Sequence, residues 1–343
     1  MHILHVIGAR PNFMKVAPVY RALHNRPSVQ QTLVHTGQHY DFNMSDVFFQ
    51  QLEIPAPDIN LQVGSGSHAQ QTAEIMIRLE KVVLERKPDW VLVYGDVNST
   101  VAAALVCSKL LIKIAHVEAG LRSGDRTMPE EINRLLTDQI SDLLFTPSED
   151  GDRNLAREGV AKAKIHLVGN VMIDTLIRML PQAKASISPD TPARFVLVTL
   201  HRPANVDDLG WLTGVLDSLS GIAKQIPVIF PIHPRTRQRL TDAGINPADL
   251  KGINLSTPKP YLEFLGLQTR ATAVVTDSGG IQEETTFLGT PCITMRENTE
   301  RPVTMDIGTN VLVGRSAECM RDELQKILNG EKRKNASIPP LWD

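Results

Sequence analysis

Residues 273–284 read Ala273-Val274-Val275-Thr276-Asp277-Ser278-Gly279-Gly280-Ile281-Gln282-Glu283-Glu284. A short apolar run, a polar turn with two glycines and the start of a helix follow one another directly. This order is typical of a strand that leads into a helix in a parallel α/β sheet. Two glycines let the backbone approach a ligand closely, and free N–H groups at a helix start attract phosphate. The same residues also fit an ordinary strand-to-helix turn, so the motif predicts the fold but leaves the ligand open.

The alternation of short β-branched runs with longer amphipathic segments extends along the whole chain. The predicted strands are 3–7, 32–36, 90–94, 112–117, 143–146, 165–168, 195–200, 228–232, 253–256, 272–276, 291–295 and 309–313. Segments with apolar residues at helical spacing lie between most of them. We therefore expect an α/β protein with two doubly wound domains facing a cleft. They span residues 1–170 and 191–343, joined by a linker helix and loop over 171–190.

Length and composition agree with this division and exclude several classes of protein. At roughly 150 residues per domain, a chain of 343 residues corresponds to about two domains. Lys and Arg number 36 against 38 Asp and Glu, a balance that does not suit a dedicated DNA- or RNA-binding protein. Cys107, Cys292 and Cys319 form neither a disulfide framework nor a zinc spacing, which fits a reducing cytosol.

The apolar stretches of the chain do not suit a targeting or membrane segment. Met1–Ile7 has no basic region before it and is predicted to be a buried strand. Val101–Val117 is interrupted by charged and polar residues and is too polar to cross a bilayer. We expect a soluble cytoplasmic protein with neither nucleic acid nor a membrane as partner.

In open parallel sheets, ligands bind beyond the carboxyl ends of the strands. In this chain those positions are rich in charged side chains, imidazoles and glycine turns. They are Gly8-Ala9-Arg10, His35 to His39, Gly95-Asp96, His116 to Glu118, His201-Arg202, His233 to Arg235, Asp277 to Gly280 and Arg296-Glu297. We expect them to line a binding site.

Arg10 and Lys15 lie five residues apart in the first strand-to-helix connection. Near a helix N-terminus, both side chains could hold a diphosphate. Alternatively, Lys15 lies on a solvated helix face and Arg10 pairs with a structural carboxylate. The first strand is not followed by a G-x-G-x-x-G pattern, so the sequence does not predict NAD or FAD as a cofactor.

Asp96, Glu118 and Glu130 are the candidate acid–base groups. Asp96 and Glu118 end two predicted strands, whereas Glu130 follows Pro129 at a helix start. Carboxylates crowded in a cleft raise one another's pKa, so that one can hold a proton while another accepts one. Taken singly, Asp96 could instead cap a helix, and Glu130 could only favour the helix dipole.

His201, with Arg202, ends the first strand of the second domain and could donate to phosphate or supply an acid, although a structural role is also open. His35 and His39 have a spacing that a metal could use. No third ligand stands out at a compatible spacing, so we expect no metal site.

In their order along the chain, these motifs resemble the non-hydrolysing UDP-N-acetylglucosamine 2-epimerase family over nearly the whole length. The resemblance rests on Ile7 to Pro11, His35 to His39, Val93 to Asp96, His116 to Arg122, Met128 to Arg134, Thr199 to Arg202, Ser278 to Glu284 and Thr299 to Pro302. It implies two Rossmann-like domains in the GT-B arrangement, with UDP bound mainly by the second. The implied reaction inverts C2 of UDP-N-acetylglucosamine to give UDP-N-acetylmannosamine, through elimination and re-addition of UDP via 2-acetamidoglucal. The resemblance implies no metal or redox cofactor, and the expected assembly is a homodimer.

The resemblance also assigns roles to individual residues. In the first domain, Arg10 and Lys15 match the family's diphosphate-side cations, and the catalytic carboxylates are matched by Asp96, Glu118 and Glu130. In the second domain, His201 matches the active-site histidine, and the phosphate loop is matched by Ser278, Gly279 and Gly280. Glu284 matches a ribose contact, Phe264 matches a uridine-side position, and Arg301 matches a further substrate-binding arginine.

Three departures from the family pattern keep other functions open. Ala204 stands where the family usually has the glutamate of His-Arg-x-Glu-Asn, Lys259 where some members have glutamine, and the sequence ends at Pro340–Asp343, where a last helix normally crosses back to the first domain. Ala204 leaves more room than glutamate, which suits a related sugar such as a 2,3-diacetamido type. A hydrolysing relative, a GT-B glycosyltransferase and a nucleotide-sugar sensor without turnover are the remaining alternatives.

Overall fold

The computed structural model describes residues 1–38, 51–245, 250, 252–331 and 336–342, without the side chains of Arg10, Pro203, Ala204 and Arg235. The chain divides into two compact units, one formed by Met1–Thr175 with Pro340–Asp343 and the other by Leu176–Pro339.

The first unit contains an entirely parallel sheet in the order β3-β2-β1-β4-β5-β6-β7. Its strands are β1 (His2–Ile7), β2 (Gln30–His35), β3 (Ile59–Asn60), β4 (Trp90–Tyr94), β5 (Lys113–Val117), β6 (Leu143–Thr146) and β7 (Ile165–Leu167). The strand order reverses between β1 and β4, which is where doubly wound sheets bind ligands.

The second unit repeats this topology in the order β10-β9-β8-β11-β12-β13. Its strands are β8 (Val196–Thr199), β9 (Val228–Pro231), β10 (Ile253–Ser256), β11 (Ala273–Thr276), β12 (Cys292–Thr294) and β13 (Asn310–Leu312). Here the order reverses between β8 and β11.

All twelve predicted strands are confirmed, with ends that differ by no more than two residues. The sequence did not predict β3, because two residues are too few to show an alternating pattern. The predicted α/β class with two doubly wound units is confirmed.

The helices of the described residues lie between successive strands or close to them. They are α1 (Arg10–His24), α2 (His68–Arg86), α3 (Asn98–Lys109), α4 (Pro129–Ile140), α5 (Glu149–Arg157), α6 (Val171–Ala185), α7 (Pro203–Val206), α8 (Leu209–Ala223), α9 (Pro234–Asp242), α10 (Tyr261–Arg270), α11 (Gly279–Leu288), α12 (Val303–Asp306) and α13 (Ala317–Leu328). None of them is both long and apolar enough to cross a lipid bilayer.

Alternate residues of β8 pack into different apolar clusters. Val196 and Val198 join the cluster that includes Leu212 of α8, whereas Leu197 joins the one that includes Leu267 of α10. Successive side chains of a strand point to opposite faces, so helices cover both faces of this sheet. Each fully buried aliphatic side chain contributes about 1.5 to 3 kcal/mol to folding.

Helix α6 spans the division between the units, which falls between Thr175 and Leu176. The domain boundaries predicted from the sequence placed the last four residues in the C-terminal domain. The structure groups Pro340–Asp343 with the first unit instead. The physical reason is Trp342, which is 1% exposed and donates from its indole nitrogen to the Pro147 carbonyl oxygen at 2.9 Å. Gly169, at φ +83°, permits this docking because a Cβ there would overlap the Leu341 carbonyl oxygen.

Candidate active site

The turn from β1 into α1 is fixed by Asn12. Its Oδ1 accepts hydrogen bonds of 3.0 Å from the backbone N–H groups of Gly8 and Ala9. Its Nδ2 donates to the Tyr94 carbonyl oxygen at 2.8 Å, which joins the start of α1 to the end of β4. The first turn of α1 therefore lies at the point where the strand order reverses. The side chain of Arg10 is outside the described part of the structure.

Lys15 and Glu118 form a buried ion pair. The Lys15 ammonium donates to Glu118 Oε2, and the two side chains are 5% and 4% exposed. Gly95 lies against this pair, since a Cβ on it would be 2.6 Å from Lys15 Nζ and 3.1 Å from Glu118 Oε2. The alternative that placed Lys15 on a solvated helix face is wrong, because the side chain is buried against a candidate catalytic carboxylate.

Asp96 contacts Arg134, a residue that the sequence analysis did not single out. Arg134 Nη1 lies 2.5 Å from Asp96 Oδ2, and its Nη2 lies 2.6 Å from Glu131 Oε2. The Asp96 side chain is 25% exposed, whereas that of Arg134 is 2% exposed. Val97, rather than Asp96, is the N-cap of α3, so the helix-capping alternative for Asp96 is wrong.

Glu130 and Glu131 have different surroundings at the start of α4. Glu131 is buried and accepts backbone hydrogen bonds of 3.0 Å from Ser123 and Gly124. Burial alone would raise the pKa of Glu131, but the bonds from Ser123, Arg134 and Gly124 outweigh it and hold this pKa below its usual value. The Glu130 side chain is half-buried and makes no hydrogen bond or ion pair within the described part of the chain. Glu131 thus holds the loop, whereas the Glu130 carboxylate is not engaged by the residues that the structure describes.

A buried polar chain supports the Gly95–Asp96 turn. His116 Nε2 donates to the Gly95 carbonyl oxygen at 2.7 Å, and its Nδ1 lies 2.6 Å from Asp138 Oδ1. Asp138 Oδ2 in turn accepts from Arg122 at 2.7 Å. Burial raises the pKa of Asp138, but the charges and hydrogen bonds of His116 and Arg122 bring it below its usual value.

Sequence reasoning missed Arg134 and Asp138, although a signal was available. Glu131, Arg134 and Asp138 are spaced by three and four residues, which places them on one face of α4. The structure shows that all three are buried. The spacing of these charged residues was visible in the sequence, whereas their burial was not.

In the second unit, His201 lies beside Asp277. Thr199 and Thr276 are paired across β8 and β11, so the residues that follow them emerge side by side. His201 Nδ1 is 3.0 Å from Asp277 Oδ1. The His201 side chain is 59% exposed, whereas that of Asp277 is completely buried.

The glycine-rich turn does open a helix, as the sequence predicts. Ser278 is the N-cap of α11, and Gly279 and Gly280 form its first turn. Gly279 lies against Arg301, since a Cβ there would be 2.5 Å from the guanidinium. Arg301 also contacts Glu283 at 2.9 Å and forms an ion pair with Glu300. The structure therefore brings the predicted phosphate loop and the predicted substrate-binding arginine together.

Glu284 is buried one turn into α11. Tyr261 donates to its Oε1 at 3.0 Å, and Gln268 donates to its Oε2 at 2.6 Å. Burial raises the pKa of Glu284, and these two hydrogen bonds offset part of the increase. Phe264 is half-buried against the same face of the sheet as Leu267. Lys259, one of the three departures, pairs with Glu263 at 3.6 Å on the surface.

Only one of the two histidines considered for a metal lies in the described part of the chain. His35 is buried at the end of β2, and His39 lies outside the described residues. Within the described ranges, three or more His, Cys, Asp or Glu side chains do not gather into a group that could hold a metal ion.

The chain matches a known protein family over most of its length. The model of the family described as UDP-N-acetylglucosamine 2-epimerase matches residues 21–343. The chain belongs to this epimerase family. Membership confirms the resemblance inferred from the motifs and places the chain among the isomerases.

Similar sequences within the epimerase family carry more than one substrate name. The chain is 45% identical over 341 residues to a UDP-N-acetylglucosamine 2-epimerase of Methanococcus maripaludis, covering 96% of this chain and 92% of the relative. It is 46% identical over 317 residues to a UDP-2,3-diacetamido-2,3-dideoxy-D-glucuronate 2-epimerase of Pseudomonas aeruginosa, covering 92% of this chain and 88% of the relative.

Solved structures of the epimerase family share the fold over the whole chain. The Methanocaldococcus jannaschii UDP-GlcNAc 2-epimerase, in complex with UDP-GlcNAc and UDP, has a TM-score of 0.87 at 42% identity, covering 100% of this chain and 97% of the other. The Neisseria meningitidis enzyme bound to UDP-GlcNAc has a TM-score of 0.90 at 31% identity, with 100% and 96% covered.

Proposed function

We propose that this chain interconverts UDP-N-acetylglucosamine and UDP-N-acetylmannosamine by inverting C2. The observation that carries the proposal is the set of three carboxylates in distinct surroundings at the first unit. Glu118 is buried with Lys15, Asp96 is partly exposed with Arg134, and Glu130 is half-buried without such a partner among the described residues. Groups held in unlike environments can take unlike parts in proton transfer.

The C2 proton of N-acetylglucosamine is weakly acidic because no neighbouring ketone stabilises a carbanion. Elimination avoids that difficulty because the C1–O bond to UDP breaks when a base removes the C2 proton, so no separate carbanion has to be stabilised. 2-Acetamidoglucal and UDP then remain bound. Re-addition of UDP at C1, with a proton delivered to the opposite face of C2, gives the epimer. We assign the base and the acid to the set Asp96, Glu118 and Glu130, and each contributes by standing within hydrogen-bond reach of the moving proton.

The departing diphosphate needs positive charge and N–H donors. We assign its binding to Arg10 and to the second unit, where α11 begins at Gly279 and Arg301 lies against that glycine. A helix of ten residues that starts with two glycines presents free N–H groups to phosphate oxygens. Because Lys15 is already bonded to Glu118, we assign it to the carboxylate rather than to the diphosphate.

The remaining assignments concern the nucleoside and the histidine. We propose that Ser278 and Gly280 complete the phosphate loop, that Glu284 contacts the ribose and that Phe264 lies on the uridine side. His201, largely exposed at the end of β8, acts on the diphosphate or as an acid. The proposed chemistry requires no metal or redox cofactor, since neither electrons nor a Lewis acid enter the balance.

The test is incubation of the purified protein with UDP-N-acetylglucosamine alone, followed by anion-exchange chromatography and NMR in heavy water. We expect an equilibrium mixture of the two UDP-sugars with deuterium at C2. Free N-acetylmannosamine with UDP would indicate a hydrolysing enzyme. No turnover would contradict the proposal, and epimer without solvent deuterium would contradict the elimination mechanism.

A second candidate substrate is a UDP-2,3-diacetamido sugar or its uronic acid. The Pseudomonas relative named for that substrate is as similar to this chain as the Methanococcus relative is. The same C2 chemistry applies, so the carboxylate set does not distinguish the two. Comparison of kcat/KM for the two sugars under identical conditions decides between them.

We further propose that the chain acts as a homodimer. Ile77 and Leu84 of α2 are 54% exposed and Leu136 of α4 is 46% exposed, so both helices present large apolar side chains. Burial of such side chains against a second copy would be favourable. Light scattering after size-exclusion chromatography is expected to give twice the chain mass of 37.9 kDa, and a monomer at micromolar concentration would contradict this.

A cytoplasmic location is proposed from the cysteines. Cys107, Cys292 and Cys319 are free thiols. Unpaired cysteines are typical of reducing compartments. Cell fractionation is expected to recover the protein with the cytosol.

A further inference from the structure

We propose that Asp277 orients the His201 imidazole for the reaction, an inference that rests on the proposed epimerase function. Asp277 is the first residue after β11 and His201 the second after β8, at the reversal of strand order in the second sheet. Their side chains meet at 3.0 Å, with the carboxylate fully buried and the imidazole mostly exposed.

The hydrogen bonds to Asp277 determine which histidine nitrogen carries a hydrogen. Asp277 Oδ2 accepts from the Arg202 backbone and from Asn205 Nδ2, each at 3.0 Å. The His201 backbone N–H adds a contact of 3.2 Å to each oxygen. Burial raises the pKa of Asp277, but the contacts with His201, Arg202 and Asn205 bring it below its usual value, so the carboxylate is ionised. An ionised carboxylate can only accept, and therefore His201 Nδ1 donates.

This bond leaves Nε2 as the nitrogen that can act on a substrate. An imidazole with 59% of its side chain exposed would otherwise sample several rotamers. The buried carboxylate holds it in one rotamer and one tautomer, the way in which an orienting group supports an acid or base. Asp277 itself is buried and touches no reacting atom, so it is a positioning residue.

The same contact bears on the missing glutamate of the family pattern. Ala204 lies in α7 and cannot supply a carboxylate. Asn205, the next residue, is 3% exposed and donates to Asp277, so the loop after β8 is anchored on this carboxylate. Asp277 therefore gives the histidine a carboxylate partner without the glutamate.

The test is a double-mutant cycle in the full chain with Asp277→Asn, His201→Asn and their combination. Asparagine keeps the size of Asp277 but cannot remain an acceptor toward every one of its donors. We expect Asp277→Asn to lower kcat at least tenfold with UDP affinity within threefold of the wild type. In the His201→Asn background, Asp277→Asn should lower kcat almost no further. Asp208→Asn is the matched control, because Asp208 is an exposed N-cap of α8 in the same unit, and it should leave activity unchanged.

Two results would overturn the proposal: an Asp277→Asn variant with activity within threefold of the wild type, or an equal loss in both backgrounds, which marks a general structural role. Nitrogen NMR of the wild-type histidines, with His201→Asn used to assign the His201 signals, gives a readout that depends neither on activity nor on whether Asp277→Asn folds. A hydrogen on Nδ1 of His201 supports the proposal, and a neutral ring protonated only on Nε2 overturns it. A wild-type chain that turns over no UDP-sugar would contradict the proposed function, and the NMR result would still decide whether Asp277 orients His201.

Discussion

Lys15 and Glu118 lie 103 positions apart in the chain, and their side chains meet in an ion pair that is almost fully buried. The pair forms where the start of α1 and the end of β5 both approach Gly95. An ammonium and a carboxylate removed from water stabilise each other only while both are present. The pair therefore links the stability of the first unit to its proposed chemistry.

Gly95→Ala should disturb this pair directly. The new Cβ would lie 2.6 Å from Lys15 Nζ, and Gly95 also adopts φ +63°, which costs a non-glycine residue about 1 kcal/mol. We expect turnover to fall at least tenfold and the melting temperature to decrease. Gly159→Ala is the control, because Gly159 has φ +82° with nothing within 4 Å of a Cβ. It should lose similar stability but keep full turnover; equal turnover in the two variants would contradict the role given to the pair.

Glu118→Gln and Glu130→Gln should separate chemistry from stability. Both should lower turnover by about 10² or more, since neither amide can exchange a proton. Glu118→Gln leaves the Lys15 ammonium buried without its carboxylate, which costs about 3 kcal/mol, whereas Glu130→Gln should melt like the wild type. Turnover, UDP affinity and melting are measured on each variant.

The double variant Lys15→Met with Glu118→Gln is the control for the Glu118 experiment. Removal of both charges should recover part of the lost stability without restoring activity. A Glu118→Gln variant with unchanged melting would mean that the buried pair does not form. A Glu130→Gln variant with normal turnover would remove Glu130 from the catalytic set.

Gly279→Ala should weaken binding of UDP. Its Cβ would be 2.5 Å from Arg301 Nη1 and 2.6 Å from Glu300 Oε1, and the guanidinium is already held by Glu283. We expect calorimetry to show a loss of about tenfold, or about 1.4 kcal/mol. Gly214→Ala, in α8 with nothing within 4 Å of a Cβ, should bind UDP like the wild type. Equal affinity in both variants would place the phosphate site elsewhere.

His5 should make the first unit sensitive to mild acid. Burial lowers the pKa of His5 to about 4, and a hydrogen bond with Gln31 offsets only part of the effect. The unfolded chain binds a proton at roughly pH 6.5, so the folded state is favoured above that pH and loses stability as the pH falls toward 4. Between pH 7 and 4.5 this group should remove about 2 to 3 kcal/mol.

Urea unfolding at several pH values, with His5→Gln for comparison, measures this contribution. Glutamine can still donate to Gln31 and accept from Tyr94, the two partners of the imidazole. The variant should lose less stability than the wild type over the same pH range. An identical pH dependence in the two proteins would contradict the assignment to His5.

The sequence predicted the strands well because their β-branched runs are bounded by polar turns. It did not predict β3, because that strand has only two residues. It also placed Asp96, Glu118 and His201 just beyond strand ends, where the structure finds them, whereas Lys15, expected in the strand-to-helix connection, lies in the second turn of α1. It did not predict that Lys15 would bond to Glu118, since that contact depends on which strands become neighbours.

Asp277 and Arg134 show the same limit. Asp277 stands in the very motif that predicts the fold, but its contact with His201 follows from the pairing of β8 with β11. Arg134 lies beside Asp96 only because α4 packs at the end of β4. Local patterns identify which residues are unusual, and the tertiary structure decides what each of them contacts.

Trp342 gives the chain an unusual order of assembly. The ribosome makes this residue after the whole of the second unit, yet its indole completes the first unit at Pro147. Small domains at the start of a chain can usually finish folding while the rest is still being translated. Here an interrupted polypeptide of any length up to Pro339 would leave the surface around Pro147 and Gly169 uncovered. The first unit therefore acquires one of its buried side chains only after the whole of the second unit has been synthesised.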